Sequence, residues 1–447
     1  MRFARRLVVG GIVALLAACG SEAVTTEPGA LTITLNGPPP TLTNTATLQI
    51  TGQVTRTPAA AVGILVTATG AVVGDSDSAA ADGSFALTVT LTANAQNTLS
   101  ITASDQSGSS ATPVSIGIRH DGAAPQVTGI TPASGSDGVT PATIQVVFGE
   151  AVVPGSATFA LRVYGVAVPG SAILSPDSLT LTFTPSAPLV SNAIYDLSVA
   201  GAADAVGNAL VSAGGCFVTG GPGITAFVDT STVLYQYGSP AGLVAPDLLE
   251  LRLARTTTTL HGILEFNAPR TLSPTANNNT SVWIDLDVDQ DGATGFVPYK
   301  DVAFAGFLPS SDAGSEYFIE MGTLDAVDGA LVAQIMAQDT SASPPTWSFT
   351  PTDQPTPGSC GSVLGFAVPF AAIGSDDGAF DIAIYIDVFR PDPPIGSAII
   401  DPAPDAGVFS AAVTAAAGGL PALGTADSWT GPPARAIMRR SVELRRR

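Results

Sequence analysis

From Leu31 onward the chain alternates apolar and polar side chains in short runs: LTITL, TLQITGQV, GILVTATG, SFALTVTL, NTLSITASD and VSIGIR. Turn residues separate them about every eight to twelve positions, the spacing of strands that fold back on one another. A period of two sends successive side chains to opposite faces, so each run offers one apolar face to a core. The pattern predicts a first β-sandwich over residues 31–120. IRHDGAAP, residues 118–125, reads as a linker, and a second set of runs, among them TIQVVF and SLTLTFTP, predicts another sandwich over 121–220. LLELRLA, LHGILEF, SVWIDLDV, EYFIEM, LVAQIMA, VLGFAVPF and FDIAIYIDV supply strands for a third, larger, jelly-roll-like sandwich over 221–415. Helix periodicity of useful length is absent. The expected class is all-β, with three tandem β-sandwich modules.

Composition agrees with this reading and adds a location. The 447 residues include 47 Gly and 35 Pro, and only 12% are charged. The N-terminus MRFARRLVVGGIVALLAACGSE places Arg2, Arg5 and Arg6 before an apolar run too short to span a membrane, the layout of a secretory signal over residues 1–18. Leu16-Ala-Ala-Cys19 resembles the lipobox of bacterial lipoproteins. That resemblance implies acylation at Cys19, a membrane lipid anchor and a spacer over 19–30, and Gly20 after the cysteine is similar to lipoproteins sent to the outer membrane. An ordinary cleaved signal is the alternative. At the other end, residues 416–447 read as a disordered basic tail holding six of the 17 Lys and Arg residues. With the leader and residues 435–447 set aside, 8 basic residues face 36 acidic ones, a body charge near −28. Such a surface repels nucleic acid and favours divalent cations, so no nucleic-acid partner is expected.

Local motifs refine the first two modules. The stretch ADGSFALTVTLTANAQNTLSITASDQSG resembles the Ig-like modules of bacterial surface proteins, with Asp82-Gly83 as a hairpin turn, Phe85 as a core anchor and Asn97 entering a strand that ends at Asp105. TPASGSDGV, TIQVVFGEAV, SLTLTFTPSAPL and YDLSVAGAADAVGNAL resemble, in that order, the Ig-like domain first described in S-layer proteins. Under that resemblance Phe148 and Phe183 fill the core, Pro185 stops a strand, and Asp204 with Gly207-Asn208 shapes the last turn. Modules of this kind act as spacers.

The most concentrated chemistry lies in WIDLDVDQDGATG, residues 283–295. Alternation sends Val282, Ile284, Leu286 and Val288 into a core, and Trp283, Asp285, Asp287 and Asp289 to the opposite face. Same-face carboxylates about 7 Å apart repel one another unless something positive lies among them. Asp287, Asp289 and Asp291 followed by Gly292 fit D-x-D-x-D-G, in which alternate carboxylates wrap a calcium ion. The bidentate Glu of a full EF-hand loop is missing, because Pro298 stands at position twelve. The expected ligands are therefore Asp285, Asp287, Asp289 and Asp291, completed by a carbonyl, water, or one of Asp301, Asp312 and Glu316. A solvated acidic turn and a different metal are the alternatives. This segment and its sequel, with DLLELRLA, the IDVF strand and DPAPDAG at 401–407, resemble DOMON-like sandwiches and the family-nine carbohydrate-binding module. The resemblance implies a sugar-binding face.

Sugar recognition uses flat aromatic platforms, and Trp283, Tyr299, Tyr317 and Trp347 are the candidates, with core filling as the competing role. Trp283 stands out because alternation puts it on the carboxylate side. For catalysis only His120, in the linker, and His261, in a strand and expected to be hydrogen-bonded there, are available, and neither adjoins a nucleophile motif. Cys216 and Cys360 either bridge, tying the end of the second module to a loop of the third, or remain two thiols. The expectation is a non-catalytic, lipid-anchored envelope protein carrying a calcium-stabilised binding domain for an extracellular glycan or surface protein. A purely structural envelope protein is the first alternative and a polysaccharide hydrolase the second.

Overall fold

The computed structural model describes residues 29–57, 63–229, 235–237, 242, 244–270, 280–291, 315–323, 331–339, 346–349, 356–374, 379–390, 397–403 and 409–412. The leader, Cys19, Tyr299, Asp301, Asp312 and the basic tail lie outside the described residues. The chain is all-β, built from tandem sandwiches. The one helical element among the described residues is a 3-10 turn, Phe370–Ile373. None of the described helices is long and apolar enough to cross a membrane. The residues separate into two compact units, the first ending at Ala123 and the second beginning at Ala124.

The first unit packs a three-stranded sheet, Ala30–Leu35, Thr47–Thr57 and Ser84–Thr90, against a five-stranded one. The second sheet runs in the order Leu42–Thr43, Val114–His120, Gln96–Asp105, Ile64–Thr69, Asp75–Ser78. The alternation in the sequence becomes the burial pattern: Phe85, Leu87 and Val89 point inward and meet Leu99, Ile101 and Ile118 from the other sheet. Asp82 accepts the Ser84 amide at 3.0 Å and Gly83 takes a φ of +85°, the left-handed backbone that glycine adopts without a Cβ clash. Asn97, buried, closes its own loop by donating to the Thr92 and Ala95 carbonyls and accepting the Thr92 amide. His120, expected in a linker, instead ends the Val114–His120 strand and accepts the Asn94 amide on Nδ1 at 3.1 Å.

The edge of the smaller sheet is closed by side chains. Strand Ser84–Thr90 is the edge of this sheet, paired along its length with Thr47–Thr57 and touched on its other side by a single bridge from Val73 to Thr90. Its outward amides at Ser84, Ala86 and Thr88 donate to Asp82, Asp77 and Asp75, at 3.0, 2.9 and 2.7 Å, and the Thr90 amide donates to the Val73 carbonyl at 3.0 Å. The period of two in Asp75-Ser-Asp77 puts both carboxylates on the same side of their strand, matched to alternate amides of the neighbour.

The second unit contains two sandwiches that share a core. In the first, sheet Ser136–Val139, Ala213–Thr219, Ile194–Ala200, Thr158–Val163, Val166–Ala167 faces sheet Gly170–Leu174, Thr180–Pro185, Ile144–Phe148, Val127–Thr131. Phe148 and Phe183 are buried, Pro185 ends its strand, and Asp204 accepts the Val206 and Asn208 amides at 2.9 Å around Gly207. The other sandwich sets a five-stranded sheet, Thr225–Val228, Leu248–Arg255, Thr259–Phe266, Val363–Pro369, Thr356–Cys360, against an eight-stranded one. The latter runs Tyr235–Tyr237, Ser397–Ala403, Ala379–Arg390, Ser281–Asp287, Tyr317–Thr323, Leu331–Asp339, Thr346–Phe349, with Phe409–Ala412 added beside Ala379–Arg390.

The five-stranded sheet is covered on both faces. Its inner face, with Leu251, Leu253, Leu260, Leu264 and Phe366, fills the core of its own sandwich. Ile263, Val363, Ala367 and Cys360 point the other way and pack with Tyr164, Ile194 and Phe217 of the preceding sandwich. A sheet buried on both sides needs apolar residues at successive positions, which accounts for the unbroken runs in VLGFAVPF and TLHGIL. The sequence position 220/221 therefore marks a change of sandwich within one body. A disulfide joins Cys216 to Cys360, their Cα atoms 5.7 Å apart. Arg252 donates to both carboxylate oxygens of Asp137 at 2.9 and 2.6 Å. Asn192, buried at a φ of +55°, donates to the Arg252 and His261 carbonyls at 2.8 and 3.3 Å. Asn192→Ala is expected to cost about 2 kcal/mol in a denaturant titration, from two lost hydrogen bonds donated by its side-chain amide and a left-handed position that alanine tolerates less well.

Candidate functional site

Strand Ser281–Asp287 is held between Tyr317–Thr323 and Ala379–Arg390 in the eight-stranded sheet. Val282, Ile284 and Leu286 enter the core fully, as alternation requires. On the opposite face Asp285 and Asp287 are each only 1% exposed, and Trp283 is half-buried. Asp285 and Asp287 are thus not solvent-facing, whereas Asp289, past the end of the strand, is exposed. Asp287 also stands directly across from Asp381 in the register with Ala379–Arg390, a like-charge pairing that a sheet does not favour.

Past Asp287 the backbone turns. Gln290 adopts a φ of +56°, and Asp289 accepts the Asp291 amide on Oδ1 at 2.9 Å. Just before the neighbouring strand Tyr317–Thr323, Glu316 donates its amide to the Leu286 carbonyl at 3.1 Å and accepts the Val288 amide on Oε2 at 3.0 Å. These contacts draw one carboxylate oxygen each from Asp287, Asp289 and Glu316 to within 4.8 Å of one another. Among the described residues Oδ1 of Asp287 is buried and has no hydrogen-bond partner. Burial first, and the negative charge of Glu316 second, push the Asp287 carboxyl up to about 6. Three carboxylates around one unsatisfied buried oxygen form the donor set of a hard cation such as calcium, whose ligands are oxygens in flexible geometry.

Of the four aspartates expected as ligands, Asp287 and Asp289 belong to this group. Asp285 is buried two residues back along the strand and Asp291 is exposed beyond the turn; neither joins it. Glu316, one of three distant acids considered from the sequence, is brought in by strand pairing. Tyr317, expected as a sugar platform, packs partly buried against the core, its hydroxyl beside Gly374. Tyr299 lies outside the described residues, and nothing is described of the Trp347 side chain.

His261 departs from expectation. It is fully buried, and neither ring nitrogen has a hydrogen-bond partner among the described residues. Its ring stacks on Tyr164 at 5.9 Å between centroids. Sequence reasoning missed Tyr164, Asn192 and the Asp137–Arg252 pair, whose partners lie up to 115 residues apart.

Residues 121–219, under a quarter of the chain, match the family model of the bacterial Ig-like domain. No curated protein matches the chain in sequence. Among solved structures, the copper-resistance protein PcoC of Escherichia coli is similar at 18% identity, covering 22% of this chain and 99% of its own, with a TM-score of 0.20. Titin domains I67–I69 align at 10% identity over 86% of this chain and 96% of theirs, with a TM-score of 0.28. The D00-D0 domain of intimin aligns at 15% identity over 42% of this chain and 99% of its own, with a TM-score of 0.24.

Proposed function

We propose that this chain is a non-catalytic bacterial envelope protein in which Ig-like modules carry a calcium-stabilised terminal sandwich toward an extracellular glycan or surface partner. The reading joins the bacterial Ig-like match to the leader and Cys19, which imply export and a lipid anchor at the outer membrane. Its central observation is the buried, unpartnered Asp287 oxygen beside Asp289 and Glu316. Calcium would satisfy that oxygen and cancel the repulsion among the three carboxylates, pinning the turn after Asp287 to the strand that begins at Tyr317. Trp283, on the same face two residues before Asp285, is the aromatic that a sugar ring would use.

Thermal unfolding of the intact protein in calcium and then in chelator tests the metal. Saturating calcium is expected to stabilise the wild type by about 3 kcal/mol, at roughly a hundred times its dissociation constant, and to leave Asp287→Asn unmoved. Superimposable wild-type traces with and without calcium would sink the metal reading. Retention on immobilised polysaccharides, lost in Trp283→Ala while the calcium response persists, supports a glycan ligand. No retention on any glycan or surface protein would leave a structural envelope role.

A further inference from the structure

We propose that the joint between the two sandwiches of the second unit is an acid-sensitive latch, loosened when His261 takes up a proton. His261 sits on the outer face of strand Thr259–Phe266, between Ala254 and Ala367 on the flanking strands. The preceding sandwich covers that face with Tyr164 and Asn192. Around the joint, among the described residues, the buried polar atoms without a hydrogen-bond partner include both ring nitrogens of His261, the Tyr164 hydroxyl and Oδ1 of Asn192. A neutral imidazole tolerates such a site; an imidazolium has two N–H groups and a charge to satisfy.

The charged groups nearby do not supply the missing counter-charge. On strand Leu248–Arg255, Arg252 is itself cationic, and it is held by Asp137 at 2.6 Å, Glu250 at 3.5 Å and Glu265 at 4.0 Å. Asp196 acts on Tyr164, and burial pushes the tyrosine hydroxyl up, so it stays protonated and uncharged. The strand Val363–Pro369 contributes Val363, Gly365, Ala367 and Pro369 to this face, none of them titratable. Burial accordingly pushes His261 down to about 4 from an ordinary 6.5.

The direction follows from linkage. Open chains bind the proton near pH 6.5 and docked ones only near 4, so the joint has its full strength above about 6.5 and weakens as pH falls between those values. The opening constant should rise on the order of 40-fold between pH 6.5 and 4.5. The Cys216–Cys360 bridge keeps the opened sandwiches tethered, so neutralisation re-docks them within one molecule.

The experiment is hydrogen exchange on the oxidised full chain from pH 7.5 to 4.5, corrected for intrinsic rates, on wild type, His261→Phe and His261→Gln. Ring-labelled histidine spectra accompany it, since the chain has only 2 histidines and the variants assign them. The expected result is loss of protection in Thr259–Phe266, Val363–Pro369 and around Asn192 across that range, absent in whichever variant folds. Full wild-type protection at pH 4.5, the same pH profile in a folded variant, or a docked His261 titrating near 6.5 would each overturn it.

Discussion

Phe366→Ala is expected to lower the unfolding free energy of the second unit by about 4 kcal/mol, the usual cost of deleting a fully buried phenylalanine ring. Phe366 is 0% exposed, and it faces Gly262 across the pairing of Thr259–Phe266 with Val363–Pro369. A Cβ built on Gly262 would run into the Phe366 ring, so the ring occupies the space a side chain at 262 would fill. Removing it opens a cavity and strips cover from the glycine backbone together. Gly52 with Phe85 repeats this arrangement, and in the remaining sandwich the Phe183 ring fills the space over Gly170 from a diagonal position. Denaturant titration of the full chain measures the effect, and Phe366→Leu should recover part of it. A loss below about 1 kcal/mol would show that the core collapses around the gap.

Opening the Cys216–Cys360 bridge is the second large effect. It closes a loop with a sequence separation of 144, for which chain-entropy arguments give a destabilisation of about 5 kcal/mol, with strain and residual structure able to reduce it. The sandwiches should nevertheless stay docked near neutral pH, because the Arg252–Asp137 pair and the Asn192 hydrogen bonds do not depend on sulfur. Unfolding transitions of the oxidised protein, the reduced protein and Cys216→Ser/Cys360→Ser measure it. Equal midpoints in all three would mean that the cysteines are not bridged in the protein.

What the sequence made legible was local. Alternation in SFALTVTL and TIQVVF identified the inward residues, and Asp82-Gly83 and Asp204 to Asn208 announced their turns, because both depend on neighbours within a few positions. The acidic centre was half legible. Asp287 and Asp289 follow from strand geometry, but Glu316 enters only through pairing with a strand across a long insertion, and Asp285 drops out because the group forms where the strand ends. The joint between the last two sandwiches was illegible as a contact. Its one trace was the unbroken apolar run in VLGFAVPF, which signals a sheet covered on both sides without saying by what. Cys216 and Cys360 raised the question of a bridge, and only their placement at that joint answers it.

The carboxylates of Asp75, Asp77 and Asp82 have a social consequence wherever copies of the chain meet at high density. A bare strand edge is an invitation to neighbours, since an incoming chain can extend the sheet and seed polymerisation. Here each outward amide from Ser84 to Thr90 is already engaged, and the groups that engage it are mostly anionic. Crowded copies are thereby kept individual, repelled at the very place where they would otherwise zip together.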